Sequence, residues 1–265
     1  MSIPAMHLSP LTYQRSGIGQ VLKKKGLVHI FLRSLLIQAS WNVSRMQGLG
    51  FAYATAPLAG GKGDAEHPET KALLGRHLQR FNTHPYMAAP IIGSVTRLEL
   101  ENRSSETAEL KNALMGPYAA LGDSFFWSAL KPFAAVAALC LAIQGFLLAP
   151  AVFLALYTPP HVWVRIRGFL EGWRHGKNGI DFVRRLDLPE KTRRVRWGST
   201  VVLGGLAVLA SSKAPFPFPL EPGPWAPAAG LLVVLASYGA IRKGLPALVI
   251  LYGAVALCAS VVWLR

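Results

Sequence analysis

Between Lys131 and Arg165 the chain runs for 33 residues without a single Lys, Arg, Asp or Glu. A membrane-spanning helix needs only about 20 apolar residues, so this stretch is long enough to cross a bilayer and too apolar to serve as a solvated surface. Pro150 lies inside it and predicts a kink or a break into two half-helices, and Pro159 with Pro160 is expected to end it. The rest of the composition agrees, with 52% hydrophobic and 15% charged residues and a mean hydropathy of +0.33.

The net charge of +15 raises a choice between nucleic acid and membrane. Lysines and arginines flank apolar runs here instead of striping one helix. Residues 161–197 carry ten Lys/Arg against four Asp/Glu, and Lys23, Lys24 and Lys25 precede the first apolar segment. That is the pattern of cytoplasmic loops facing anionic lipid headgroups, and it disfavours nucleic acid as a partner. Uncharged runs at 197–212, 222–241 and 244–264 complete about four expected spans after residue 128. Charge then places 161–197 inside, the "APFPFPLEPGP" loop outside, Arg242 and Lys243 inside and Arg265 outside, so an odd number of crossings is expected before residue 131. The first residues show no secretory signal pattern, and a cytoplasmic N-terminus is expected.

The first 130 residues offer uncharged stretches at 34–44, 46–61, 81–96 and 112–122, each shorter than a span and rich in Gly, Pro, Asn or Gln. Broken apolar segments at membrane depth are tolerated where protein or a polar cavity covers their backbone. Glycines 48, 50, 60 and 61 are expected at close backbone approaches. Pro68 with "ETKALLGRHLQRF" predicts a helix beginning at the proline and lying outside lipid, and 97–111, with seven charges, predicts a solvent-exposed connection. Cys140 and Cys258 sit in apolar runs and form neither a disulfide framework nor a metal site.

No hydrolase, zinc or phosphate-loop motif is present, so no catalytic residue, metal or cofactor is assigned. What stands out is polarity inside marginal apolar segments. "QASWNVSRMQ" read as a helix puts Gln38, Asn42 and Arg45 on one face beside Trp41; these amides suit either sugar hydroxyls or hydrogen bonds between helices. In "FNTHPYMAAP", Thr83 and His84 precede Pro85 and project from a turn, while Asn82 could instead cap a helix. Asp123 is the one charge between Asn112 and Leu130. It reads as facing a cavity or substrate, as pairing with Lys131 or an arginine of 165–167, or as a helix cap.

Four stretches, "FLRSLLIQASWNVSRMQGLGFAYA" (31–54), "RHLQRFNTHPYMAAPIIG" (76–93), "LMGPYAALGDSFFWSALKPFAA" (114–135) and, more loosely, "HVWVRIRGFLEGWRHGKNGIDFVRRL" (161–186), resemble in order and separation the IID subunit of the mannose/fructose/sorbose family of the bacterial phosphoenolpyruvate-dependent sugar phosphotransferase system. The likeness covers roughly residues 26–190. It departs at Gln79 and Arg80, where the family usually has acidic and aromatic residues, and fades into "KTRRVRWG" beyond 190.

The resemblance implies an all-α, polytopic protein of the bacterial inner membrane, with broken or re-entrant helices in the N-terminal half and transmembrane helices in the C-terminal half. Its organisation would be a cytoplasmic tail (1–25), a IID core (26–190) with a basic cytoplasmic loop, and diverged transmembrane helices (191–265). It further implies pairing with a IIC membrane subunit as a trimer of heterodimers, phosphate transfer by separate cytoplasmic IIA and IIB components, and a mannose-class hexose as cargo. A non-transporting scaffold or sensor is the alternative. Carried onto matching positions, Trp41, Asn42, Arg45, Met46, Gln47, Asn82, Thr83, His84 and Asp123 would line or brace the sugar pathway.

Overall fold

The computed structural model describes residues 24–59, 67–213 and 226–246, and then 248–250, 252, 253, 255 and 256. The chain separates into two compact units, Met1–Ala210 and Ser211–Arg265. The described residues are almost wholly helical, with no strand among them beyond two isolated bridges. The expectations for residues 1–23, for Gly60 and Gly61, and for the proline-rich loop at 214–224 lie outside the described residues.

In the first unit, α1 (Lys24–Ser34) leads through consecutive turns at 35–47 into α2 (Gly48–Thr55), which closes in a single 3-10 turn. Next comes α3 (Pro68–His77), which starts at its proline as the sequence predicts, with His67 Nδ1 accepting the Glu69 backbone N–H as cap. Helix α4 (Ala88–Leu100) is the hub: every residue from Ala88 to Thr96 is buried. A helix apolar all round belongs in an interior, and α4 has few polar groups to keep wet. It contacts α1, α2, α5 and most extensively α7 (Ala149–His175). That crossing depends on missing side chains, because a Cβ on Gly93 would fall 2.2 Å from the Phe169 carbonyl oxygen and one on Gly172 would fall 2.4 Å from that of Pro90.

Helix α5 (Ser105–Gly122) passes into a π-helical segment (Asp123–Leu130) and then into α6 (Lys131–Ile143). At the junction the Lys131 N–H reaches back five residues to the Phe126 carbonyl, the wider turn of a π-helix. Together they form a 39-residue helix, Ser105–Ile143, the one helix among the described residues long and apolar enough to cross a bilayer. Only 22% of its most apolar window is buried by protein, the opposite of a soluble core helix.

Several expectations need correction. The charge-free run 132–164 is not one continuous helix. It folds back on itself, α6 ending at Ile143 and α7 starting at Ala149, with Gly145 at φ +84° in the turn and the two helices packed together. Pro150 falls in the first turn of α7, where no N–H partner is missed, so the break is the one that proline predicts. Pro159 and Pro160 do not end the helix; they sit inside α7. Tertiary packing on α4 carries the helix through the lost bonds.

The basic segment 161–197 is not a loop. It forms the second half of α7, a 3-10 turn, α8 (Ile180–Arg185) and the start of α9 (Leu188–Lys213). The uncharged run 197–212 is the second half of α9, so the expected short span is part of a longer helix. The stretch 97–111 is a solvated connection only in part: Asn102, Arg103 and Glu109 are exposed, whereas Glu99 and Lys111 are both buried. In the second unit, α10 (Ala226–Arg242) is described, followed by a turn with Gly244 at φ +84°.

Candidate functional site

The segment 35–47 is a chain of turns, which overturns the expectation that Gln38, Asn42 and Arg45 share a helical face. Asn42 makes the turn itself. Its Oδ1 accepts the backbone N–H of Arg45 (2.8 Å) and the hydroxyl of Ser44 (2.9 Å), and its backbone exchanges both hydrogen bonds with Met46 (3.2 and 2.8 Å). Met46 closes the turn at φ +54°, a conformation a non-glycine residue keeps only where its surroundings impose it.

From Met46 the chain meets the 81–87 loop side by side. Gln47 N–H donates to the Phe81 carbonyl (2.8 Å), and Phe81 N–H donates to that of Arg45 (3.3 Å). Gln47 then supplies with its side chain what a strand would supply with its backbone. Its Nε2 donates to the Thr83 carbonyl (2.7 Å), and its Oε1 accepts the Thr83 N–H (3.0 Å). The Gln47–Thr83 pair is buried, with Gln47 1% exposed. Gly48 and Gly50 make the close approaches expected of them, against the backbone of Gln79 and of Ile37.

The 81–87 loop also packs on the π-helical segment. His84 fits against Gly122, where a Cβ would fall 2.4 Å from the imidazole carbon, and its ring stacks on Phe126 and tilts against Trp127. His84 Nδ1 accepts the Tyr86 N–H (3.2 Å), which places the ring proton on Nε2, and Nε2 is buried without a partner. Thr83 Oγ1 is likewise buried and unpartnered.

The structure thus joins Asn42, Met46, Gln47 and Thr83 in one bonded unit and places His84 beside the helical turn that carries Asp123. Trp41, Arg45, Asn82 and Asp123 have exposed side chains. Asp123 caps nothing, since the helix runs straight through it, and it pairs with neither Lys131 nor an arginine of 165–167. Asn82 likewise caps no helix; Met87 occupies the N-terminal position of α4.

Two groups escaped the sequence reading. One joins Tyr86 of the loop to Tyr157, His161 and Arg165 of α7. The two tyrosine hydroxyls lie 3.0 Å apart, His161 stacks on the Tyr86 ring at 4.3 Å, and the Arg165 guanidinium lies 4.5 Å from that ring's centre. The spacing 157, 161, 165 along a helix was its available signal. The other is a buried charge network. Arg76 donates twice to Glu99 (2.8 and 3.3 Å), His77 Nε2 lies 3.1 Å from Glu99 Oε1 without regular hydrogen-bond geometry, and Lys111 donates to the Arg76 carbonyl while lying over the Phe51 ring. Burial pushes His77 below its ordinary value, and the contact with Glu99 offsets only part of this. For Glu99, burial acts upward, yet His77 and the Arg76 guanidinium outweigh it and hold the carboxyl below the usual range.

Comparison with known proteins gives a consistent result. The model of the PTS system mannose/fructose/sorbose family IID component matches residues 21–220, thirty residues past Glu190, beyond which the resemblance fades. The mannose-specific EIID component of Escherichia coli (strain K12) is 37% identical over 163 residues, covering 58% of this chain and 56% of that protein. The fructose permease IID component of Bacillus subtilis (strain 168) is 32% identical over 161 residues, 58% of each chain. The sorbose-specific EIID component of Klebsiella pneumoniae is 35% identical over 159 residues, 57% of each. The chain therefore spans a little over half the length of the curated relatives it matches. Among solved structures, one described only as a membrane protein aligns with a TM-score of 0.65 at 28% identity, over 91% of this chain and 97% of that one. A cryo-EM structure of the mannose transporter ManYZ with microcin E492 aligns with a TM-score of 0.54 at 27% identity, over 90% and 96%. With the family model matching residues 21–220 of its 265, this chain belongs to the mannose/fructose/sorbose family of PTS IID components.

Proposed function

We propose that the chain is the IID permease subunit of a mannose-class phosphotransferase system, embedded in the bacterial inner membrane by several helices, and that it pairs with a IIC subunit to carry a hexose across. Within that assembly, a trimer of IIC–IID heterodimers served by cytoplasmic IIA and IIB components, IID carries no phosphoryl group. The Bacillus subtilis relative is named a permease component and the others sugar-specific EIID components, which favours carriage over the scaffold or sensor role.

The observation that carries the reading is the irregular 41–47 and 81–87 backbone sewn together against a π-helical turn. Polar groups at such a depth are tolerated where they face protein or a water-lined path, and transporters build their sites from interrupted helices for that reason. The nine candidate residues then divide by role. Asn42, Met46, Gln47, Thr83 and His84 brace, because their polar atoms or backbones hold the two loops in register. Trp41, Arg45, Asn82 and Asp123 line the path, because their side chains remain exposed. An aromatic plate, a guanidinium, an amide and a carboxylate suit the ring face and hydroxyls of a sugar.

The test is sugar uptake by cells co-expressing the chain with a IIC subunit of the family. Trp41→Ala, Asn82→Ala and Asp123→Asn are expected to lower uptake at least tenfold while the IIC–IID complex still purifies intact. Unchanged uptake in all three would overturn the assignment.

A further inference from the structure

Arg165 is the first charged residue after the 33 uncharged ones, and among the described residues no carboxylate lies within ion-pair distance of it. Its neighbours on α7 differ. Arg167 pairs with Glu171 at 3.1 Å, and Lys177, just past the helix, pairs with Glu106. The acids that could reach inward are taken, Glu99 by Arg76 and His77, and Glu171 by Arg167 and His175. Arg165 is instead laid over the Tyr86 ring, with its Nε buried and unbonded, and on the same ring His161 has its Nδ1 buried and unbonded. A half-buried guanidinium held against a ring, with a second unsatisfied nitrogen beside it, is an incomplete site. Its fixed positive charge selects an anion over a hydroxyl, and its planar fork fits a carboxylate.

Resting on the reading that this chain works with a membrane partner, we propose that Arg165, with His161 and Tyr86 beside it, receives an acidic side chain of the IIC subunit. The site forms from two separated elements, the 81–87 loop and α7, and Tyr86, Tyr157, His161 and Arg165 are each partly exposed, so it can be reached from the surface of the chain. A carboxylate there pairs with the outer N–H groups of the Arg165 guanidinium and neutralises the charge held over the Tyr86 ring. The ion pair also ties the loop that carries Asn82 and Thr83 to the subunit interface.

The experiment uses the tagged full chain co-expressed with a IIC subunit of the family, extracted in mild detergent, reading the IIC retained per chain. Arg165→Gln is expected to lower retention about tenfold or more, because one partner of a desolvated charge pair is removed, with Arg165→Lys falling between. Arg165→Glu is expected to lose the complex, and an Asp→Lys or Glu→Lys change on IIC to restore it. That rescue tests the pair even if Arg165→Gln proves less stable alone. Wild-type retention by Arg165→Gln, or the failure of every acidic position on IIC to rescue Arg165→Glu, overturns the proposal. Uptake separates it from the transport reading. Lost uptake with the Arg165→Gln complex intact overturns the docking role and leaves transport standing, whereas an Arg165-dependent complex that moves no sugar does the reverse.

Discussion

Gln47 carries more of the site's geometry than any other side chain, because both halves of its amide are spent on the backbone of Thr83. Gln47→Leu keeps the volume and strands a buried donor and a buried acceptor, each costing about 1–3 kcal/mol. A loss of stability of at least about 2 kcal/mol is expected in the detergent-solubilised complex, measured by thermal unfolding. Trp41→Ala, which removes an exposed ring, is expected to leave that melting unchanged while lowering uptake. A second residue-scale expectation concerns acid. His77 is held below its ordinary 6.5, so the unfolded chain takes up that proton first and stability falls as pH drops below about 6.5. Glu99, also depressed, stabilises above its unfolded value and loses that contribution as pH falls through its folded one, so both groups weaken the fold toward acid. Melting temperature against pH is expected to flatten between neutrality and pH 5 in His77→Gln, and an unchanged slope would show that other groups set it. The sequence marked Asn42, Gln47, Thr83 and His84 as residues of interest, but it left their roles open. Whether an amide faces a sugar or a backbone depends on a partner 36 positions away, which spacing along the chain does not encode.

At the scale of elements, the helix that begins at Pro68 was legible because its proline and its cap are local. The end of α7 was not. Pro159 and Pro160 read as a stop, yet α7 continues for fifteen residues past Pro160 because its Gly168 and Gly172 face lies against α4. The same contact makes a prediction. Gly93→Val and Gly172→Val each drive a side chain into backbone that cannot swing aside, and overpacking of this kind costs about 1–3 kcal/mol or more. Gly116→Ala, in α5 with nothing within 4 Å, serves as the control and is expected to be neutral or slightly stabilising. Comparable melting of all three variants would show that the α4–α7 crossing is not close-packed. The buried cluster of Glu99 and Lys111 was illegible for a related reason. Seven charges in fifteen residues read as a wet connection, and only the approach of α3 gives two of them partners inside.

For the molecule as a whole, hydropathy identified a membrane protein but misplaced its longest helix. The charge-free run ends at Lys131, so a count of charges stops there. The helix continues through Lys131 back to Ser105, because one lysine at the end of a π-helical turn does not interrupt backbone hydrogen bonding. The expected topology changes with it. A single crossing between Lys131 and Arg165 would put those residues on opposite faces of the bilayer, and the charge-based assignment of sides rests on that. The helical hairpin leads to the opposite expectation, with both on the same face. At about 1.5 Å per residue, Lys131 lies about 18 Å from the C-terminal end of α6 and Arg165 about 24 Å from the start of α7, along two helices that run in opposite directions and pack together. Lys131→Cys and Arg167→Cys, introduced singly into a chain with Cys140 and Cys258 changed to serine, are therefore expected to react with a membrane-impermeant maleimide from the same side of sealed vesicles. Labelling from opposite sides would restore the single crossing. It would also remove the hairpin that sets Tyr157, His161 and Arg165 against the 81–87 loop, so the answer bears on the geometry of the whole site.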